Sequence, residues 1–171
     1  NVIDVGLVPT PVLYFATYHL NVGSGVMLTG SHNPPDHNGF KIVLGGETLS
    51  GEAIQQLYAR IAESRISTGH GGLQQIDVRQ DYIERIAGDI LGRVGEPMEI
   101  GGHSLNMSCS IGVAIYPDDG KDFDTLMQKA DMAMYNAKDA GRRTYRFFDE
   151  DMNRQAHEHL LLQNRLHQAL Y

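Results

Sequence analysis

Cysteine is nearly missing: Cys109 stands alone in 171 residues, which excludes an internal disulfide and a thiolate zinc cluster and fits a reducing compartment. No apolar run approaches the roughly 20 residues of a membrane-spanning helix. The N-terminus lacks the basic and then apolar pattern of a signal peptide, so the cytoplasm is the expected location. A basic excess is also lacking. Lys and Arg number 14 against 21 Asp and Glu, a net charge of −7. The deficit is spread evenly, with 5 basic and 9 acidic side chains in residues 1–90 and 9 and 12 in the remainder, so no surface for duplex nucleic acid is implied. There is no internal repeat, no low-complexity tract and no Pro- or Ser-rich linker to space two independent domains. Asn1 stands where an initiator Met would, and a fragment of a longer chain is expected.

What is present suits a packed protein, because 42% hydrophobic and 20% charged residues can bury a core. Asn1 to Val5 is a short apolar segment. Thr10 is placed to cap a helix whose first turn takes Pro11 and which runs to about Leu20. Val26 to Thr29 and Phe40 to Leu44 read as buried strands flanking the polar loop Gly30 to Gly39. Ile54, Leu57, Tyr58 and Ile61 recur at helical spacing, and a glycine-rich turn at Gly69 to Gly72 precedes a helix expected from about Asp81 to Gly88. Leu105, Met107, Cys109, Ile111, Val113 and Ile115 alternate along one expected strand. After the turn Pro117 to Gly120, a helix carries the apolar stripe Leu126, Met127, Ala130, Ala133, Met134 and Ala137, with Gly141 as its C-terminal cap. Thr144 to Phe148 reads as a strand, and Met152 to Leu170 as a long helix. His157, His159 and His167 on that helix are expected to be solvated, since His157 and His159 point to different sides. Met127, Met132 and Met134 are expected as filler.

Two loops carry candidate chemistry. In the first, the hydroxyl of Ser31 lies between two strands, with His32 beside it and Lys41 ten residues on. Such a hydroxyl can carry a phosphoryl group if a cation such as Lys41 and a metal ion offset the developing charge, and His32 can move a proton. The plainer alternative is a capped turn whose Ser, Asn and Asp side chains bond local backbone.

The string from Thr29 to Pro34, followed by Asn38-Gly39-Phe40-Lys41, closely resembles the active-site serine loop of the α-D-phosphohexomutases, the phosphomannomutase/phosphoglucomutase group. The likeness reaches upstream through Asp4-Val5-Gly6 and Val8-Pro9-Thr10-Pro11 and, more weakly, downstream to about Asp89. The resemblance implies that Ser31 is the phosphoserine and a magnesium ligand, with His32 and Lys41 near the transferred phosphoryl group. His37 departs from the Tyr usual in the family. These enzymes assemble one site from four domains. Here the metal loop of the form Asp-Gly-Asp-x-Asp-Arg, the sugar-recognising loop and the C-terminal phosphate loop are all lacking, so most of the positioning and electrostatic contribution to phosphoryl transfer is lost.

In the second loop, Lys138 and Arg142 lie four apart, on one side of the last turn of the expected helix. Cations there favour the helix dipole, which is the bland reading; a phosphate clamp is the sharper one. Ser110 to Ala114, then Ala130-Asp131 through Tyr135 and Ala137-Lys138, then Gly141-Arg142 and Phe147-Phe148 resemble the C-terminal half of a GGDEF domain, the diguanylate cyclase family. The resemblance covers about Leu91 to Phe148 and implies that Lys138 and Arg142 contact the phosphates of GTP. Arg143 departs from the Asn usual after Gly-Arg. The helix from Met152 resembles the connector into an EAL phosphodiesterase domain, expected C-terminal to the chain. The Gly-Gly-Asp-Glu-Phe signature, its metal-binding Asp and the Arg-x-x-Asp inhibitory site precede this region in the family and are not found here, and two-metal cyclisation cannot run on a clamp alone.

The sequence thus predicts a chimera: a phosphohexomutase-like segment over residues 1–89, the C-terminal half of a GGDEF domain over 91–150 and a connector helix over 151–171. The expected fold is an α/β sandwich with a central, mostly antiparallel sheet, of nucleotide-cyclase type in the second half. The leading expectation is an incomplete module of cyclic di-GMP signalling that binds GTP or cyclic di-GMP. The alternatives are a mutase fragment acting on a phosphosugar and an inactive folded chimera. Either enzyme class would use magnesium, neither site is complete, and catalysis by this chain alone is not expected. Open strand edges could pair two copies into a dimer.

Overall fold

A computed structural model describes residues 1–30, 32–152 and 154. The elements are β1 (Val2–Asp4), α1 (Thr10–His19), β2 (Gly25–Thr29), β3 (Gly39–Leu44), β4 (Glu47–Thr48), α2 (Glu52–Ala62), β5 (Leu73–Gln75), α3 (Arg79–Val94), β6 (Met98–Ile100), β7 (His103–Leu105), β8 (Ile111–Val113), α4 (Phe123–Asp139) and β9 (Tyr145–Phe147). The chain forms two compact units, Asn1–Ile83 and Glu84–Tyr171, which divide inside α3. The expected connector helix, with His157, His159 and His167, lies outside the described residues apart from its first turn. No described helix is long and apolar enough to cross a membrane.

In the first unit, β1 runs parallel to β5, with Ile3 opposite Gln74, while β2, β3 and β4 form an antiparallel meander. Helix α1 starts at an extended Pro9, and Pro11 takes a first-turn position where its missing N–H is no loss. The expected cap at Thr10 is not made: no side-chain cap bond forms, and the Thr10 hydroxyl lies 3.5 Å from the sulfur of Met27 instead. The helix ends because Asn21 takes a left-handed φ of 52°. The N–H groups of Asn21 and Val22 then close on the carbonyls of Tyr18 and Thr17, a Schellman arrangement. Val12, Ala16 and Val78 are buried together among Val5, Val8, Phe15, Leu20, Ile76 and Tyr82, and Phe15 meets Tyr82 edge to face.

Helix α1 presses on β2 closely enough that a Cβ on Gly25 would stand 2.6 Å from the Thr17 methyl. That contact covers one face of the hairpin. On the other face Val26, Leu28, Phe40 and Leu44 remain 60 to 66% exposed, so the strands expected to be buried are covered on one side only. The stripe on α2 follows the expected spacing, yet no residue of that helix is buried.

In the second unit, the β6–β7 hairpin turns through Gly101 and Gly102, with φ of 60° and 82°, the conformation a two-residue hairpin turn demands. Strand β8 runs parallel to β9. Asp122 caps α4 by accepting from the N–H and hydroxyl of Thr125 at 2.8 and 2.7 Å, and Ala133 and Ala137 are its fully buried residues. At Gly112 the strand backbone approaches α4 so closely that a Cβ would run into the carbonyl oxygen of Ala130 and the N–H of Met134.

The α/β class is as expected, and the strands among the described residues are divided over four small sheets, two parallel and two antiparallel, and not gathered into one central sheet. A sheet extends only through strands paired on both edges, and among the described residues β3 alone has two neighbours. The same limit divides the long strand expected over Leu105 to Ile115. Residues 106–110 find no ladder partner, and β7 and β8 belong to different ladders.

Candidate functional site

The polar loop joins β2 to β3, and its ends are fixed by the rung that pairs Thr29 with Gly39. Inside it, the N–H of Asn33 donates to the Gly30 carbonyl and that of His37 to the Pro34 carbonyl, both at 3.0 Å, while the His37 ring lies 2.8 Å from Asp36. Ser31 lies outside the described residues. His32 is exposed beside it, and Lys41 sits half-buried on β3 opposite Met27. Directly opposed residues share a face. The Thr10–Met27 contact therefore puts Lys41 on the face that carries the first turn of α1. The scaffold fixes Lys41, the loop carries His32, and among the described residues no bond joins the two.

A second polar dish, about 440 Å³, opens at the carboxyl ends of the parallel strands β1 and β5. Sequence reasoning missed it, although its Asp-x-Arg pair is visible at Asp77 and Arg79. Asp4 accepts from the N–H of Gly6 at 2.9 Å and from the Gln75 amide at 3.3 Å, and these bonds hold its carboxyl below the usual range. The Arg79 guanidinium, at 2.7 Å, and the Arg79 N–H lower Asp77 to about 2. Both carboxylates are thus satisfied by the protein itself.

The end of α4 is built differently. The N–H groups of Ala140, Gly141 and Arg142 close on the carbonyls of Asn136, Lys138 and Ala137, at 3.0, 3.3 and 3.2 Å. Gly141 sits at φ 109°, so the cap expected there is made, as a Schellman turn. The helix stops at Asp139, and Arg142, at φ 62°, is no longer helical; the expected placement of Lys138 and Arg142 on one side of a last helical turn is replaced by a left-handed turn. Lys138, Arg142 and Arg143 are all exposed, and none pairs with a carboxylate among the described residues.

Both families suggested by the sequence are magnesium-dependent. The described residues bring no three His, Cys, Asp or Glu side chains together.

Comparison with known proteins assigns the two parts. Residues 1–67 match the family model of phosphoglucomutase/phosphomannomutase, alpha/beta/alpha domain I, and residues 73–144 match that of the diguanylate cyclase GGDEF domain. A phosphomannomutase/phosphoglucomutase of Pseudomonas aeruginosa is 50% identical over 114 residues, 67% of this chain and 23% of that protein. The bifunctional diguanylate cyclase/cyclic di-GMP phosphodiesterase MucR of the same species is 46% identical over 145 residues, 79% of this chain and 21% of that protein. The chain thus spans about a fifth of the length of these curated relatives. A crystal structure of a phosphoglucomutase/phosphomannomutase family protein from Burkholderia thailandensis matches 52% of this chain and 21% of its own, with 52% identity and a TM-score of 0.47. Residues 1–67 are a segment of phosphohexomutase domain I and residues 73–144 a segment of a GGDEF domain, a fragment of each family joined in one chain.

Proposed function

We propose that the chain is a nucleotide-binding module of cyclic di-GMP signalling, in which Lys138 and Arg142 hold the phosphates of GTP or cyclic di-GMP at the end of α4. One observation carries this reading. The last carbonyls of α4 are closed by backbone N–H groups, so the cations there have no capping task, and they have no carboxylate partner among the described residues. Uncommitted Lys and Arg side chains are what a phosphate group binds through charge-assisted hydrogen bonds. The proposed partner is an EAL domain C-terminal to the chain, as the two activities in the name of MucR suggest, and the proposed compartment is the cytoplasm, where a lone thiol such as Cys109 stays reduced. The chain binds the nucleotide without turning it over. Titration calorimetry of the whole chain with GTP tests it. Lys138→Ala and Arg142→Ala should each weaken binding roughly tenfold; affinities equal to that of the unsubstituted chain would refute it.

A second reading rests on the hairpin. Lys41 is held on a rung beside the first turn of α1, next to the loop of Ser31 and His32, and this favours a segment whose Ser31 accepts phosphate from a sugar bisphosphate. Incubation with labelled bisphosphate should place label on the chain, and Ser31→Ala should abolish it. Label that persists in Ser31→Ala would sink this reading.

A further inference from the structure

We infer that Arg143 is a third phosphate ligand at the end of α4 and biases that site toward linear triphosphates over shorter phosphates, an inference that rests on the nucleotide-binding reading above. Three residues in succession, Gly141, Arg142 and Arg143, have positive φ, at 109°, 62° and 52°. A turn that leaves successive backbone N–H groups unbonded offers donors that can receive an anion. The first two N–H groups of the turn close the helix, while those of Arg143 and Thr144 have no hydrogen-bond partner among the described residues. The turn therefore presents two uncommitted backbone donors and, counting Lys138, three uncommitted cations within six residues.

Arginine is a poor occupant of this conformation. An L-residue with a Cβ resists the left-handed region, which Asn and Gly enter far more easily. Arg143 keeps it because the Schellman closure of α4 on one side and the start of β9, where Ile111 N–H donates to the Thr144 carbonyl at 3.0 Å, fix the backbone on the other. The guanidinium thus projects from a constrained turn two residues from Gly141, and its planar donors suit a phosphate in two-point contact. Beside Lys138 and Arg142, which hold phosphate in the reading above, Arg143 supplies charge and donors for a further phosphate group.

The test uses the whole chain and titration calorimetry with orthophosphate, pyrophosphate and inorganic triphosphate, so that no base contributes. The unsubstituted chain should prefer triphosphate over pyrophosphate. Arg143→Asn, which suits the turn, should weaken triphosphate about fivefold and leave pyrophosphate nearly unchanged, while Arg143→Lys, which keeps the charge and loses the two-point contact, should keep only part of the preference. If Lys138→Ala and Arg142→Ala weaken every phosphate but Arg143→Asn leaves triphosphate untouched, the role of Arg143 is refuted and the nucleotide-binding reading stands. If none of the three substitutions changes any affinity, both fall together.

Discussion

Adding one methyl group at Gly112 should separate α4 from the strand beneath it. The new Cβ would meet the carbonyl oxygen of Ala130 and the N–H of Met134, both backbone atoms of the helix, so no side-chain rotation relieves the clash and α4 itself must lift. That movement opens the seat of Ala133 and Ala137, the two fully buried residues of the helix. Overpacking of this kind costs about 1–3 kcal/mol, and a backbone obstacle places Gly112→Ala at the upper end. With an m-value of roughly 2 kcal/mol per molar urea, a loss of about 3 kcal/mol lowers the unfolding midpoint by about 1.5 M. The control is Gly88→Ala, in the middle of α3, where a Cβ has nothing within 4 Å; it should gain about 0.5–1 kcal/mol from helix propensity and a stiffer unfolded chain. Helicity followed by circular dichroism through a urea titration gives both numbers. A Gly112→Ala midpoint at or above that of the unsubstituted chain would show that α4 does not sit on β8 as described.

Three further outcomes follow from the structure. The Asp77 carboxyl should titrate near 2 instead of 3.8, so the stability it lends is fully present above pH 3.8 and is lost as the pH falls toward 2; the pair is exposed, which limits its worth to about 0.2–1 kcal/mol, and an NMR titration midpoint at 3.8 or higher contradicts it. Arg143→Asn should stabilise the chain by roughly 0.5 kcal/mol through relief of the left-handed turn while weakening triphosphate, opposite signs in two assays, and a lower urea midpoint would count against the turn. Trypsin should release the peptide Ile66 to Arg79, which joins the two family segments; a different peptide ending in Asp77-Val78-Arg79 would show that they do not share a chain.

Much of the helical framework was legible because helices announce themselves locally. Pro11 marks the first turn of α1, and the stripe through Ala133 and Ala137 with Gly141 beyond it marks α4. Strands were less legible, because pairing decides them. The three residues of β5 or β6 are too short for alternation to register, whereas the alternation from Leu105 to Ile115 continues through residues that no partner bonds. Alternation also cannot say whether the second face of the β2–β3 hairpin is covered, and here it is not. At the candidate sites, residue types were readable but backbone conformation was not. The positive φ of Arg143 follows from how α4 ends, and the N–H groups that free Lys138 from capping become visible only with the turn in place.

That β3 alone among the described strands is paired on both edges has a consequence for how the protein breathes. An amide in a strand resists exchange with solvent deuterium when opening it must disrupt neighbours on both sides, and local opening is far easier where one edge is free. Val43, paired with Gly25 on one edge and Thr48 on the other, should hold its proton longest among the described strands, while β1, β5, β6, β7, β8 and β9 exchange through small openings. What cooperativity each unit has then resides in a helix pressed on a ladder, α1 on β2 in one and α4 on β8 in the other, and not in the ladders themselves.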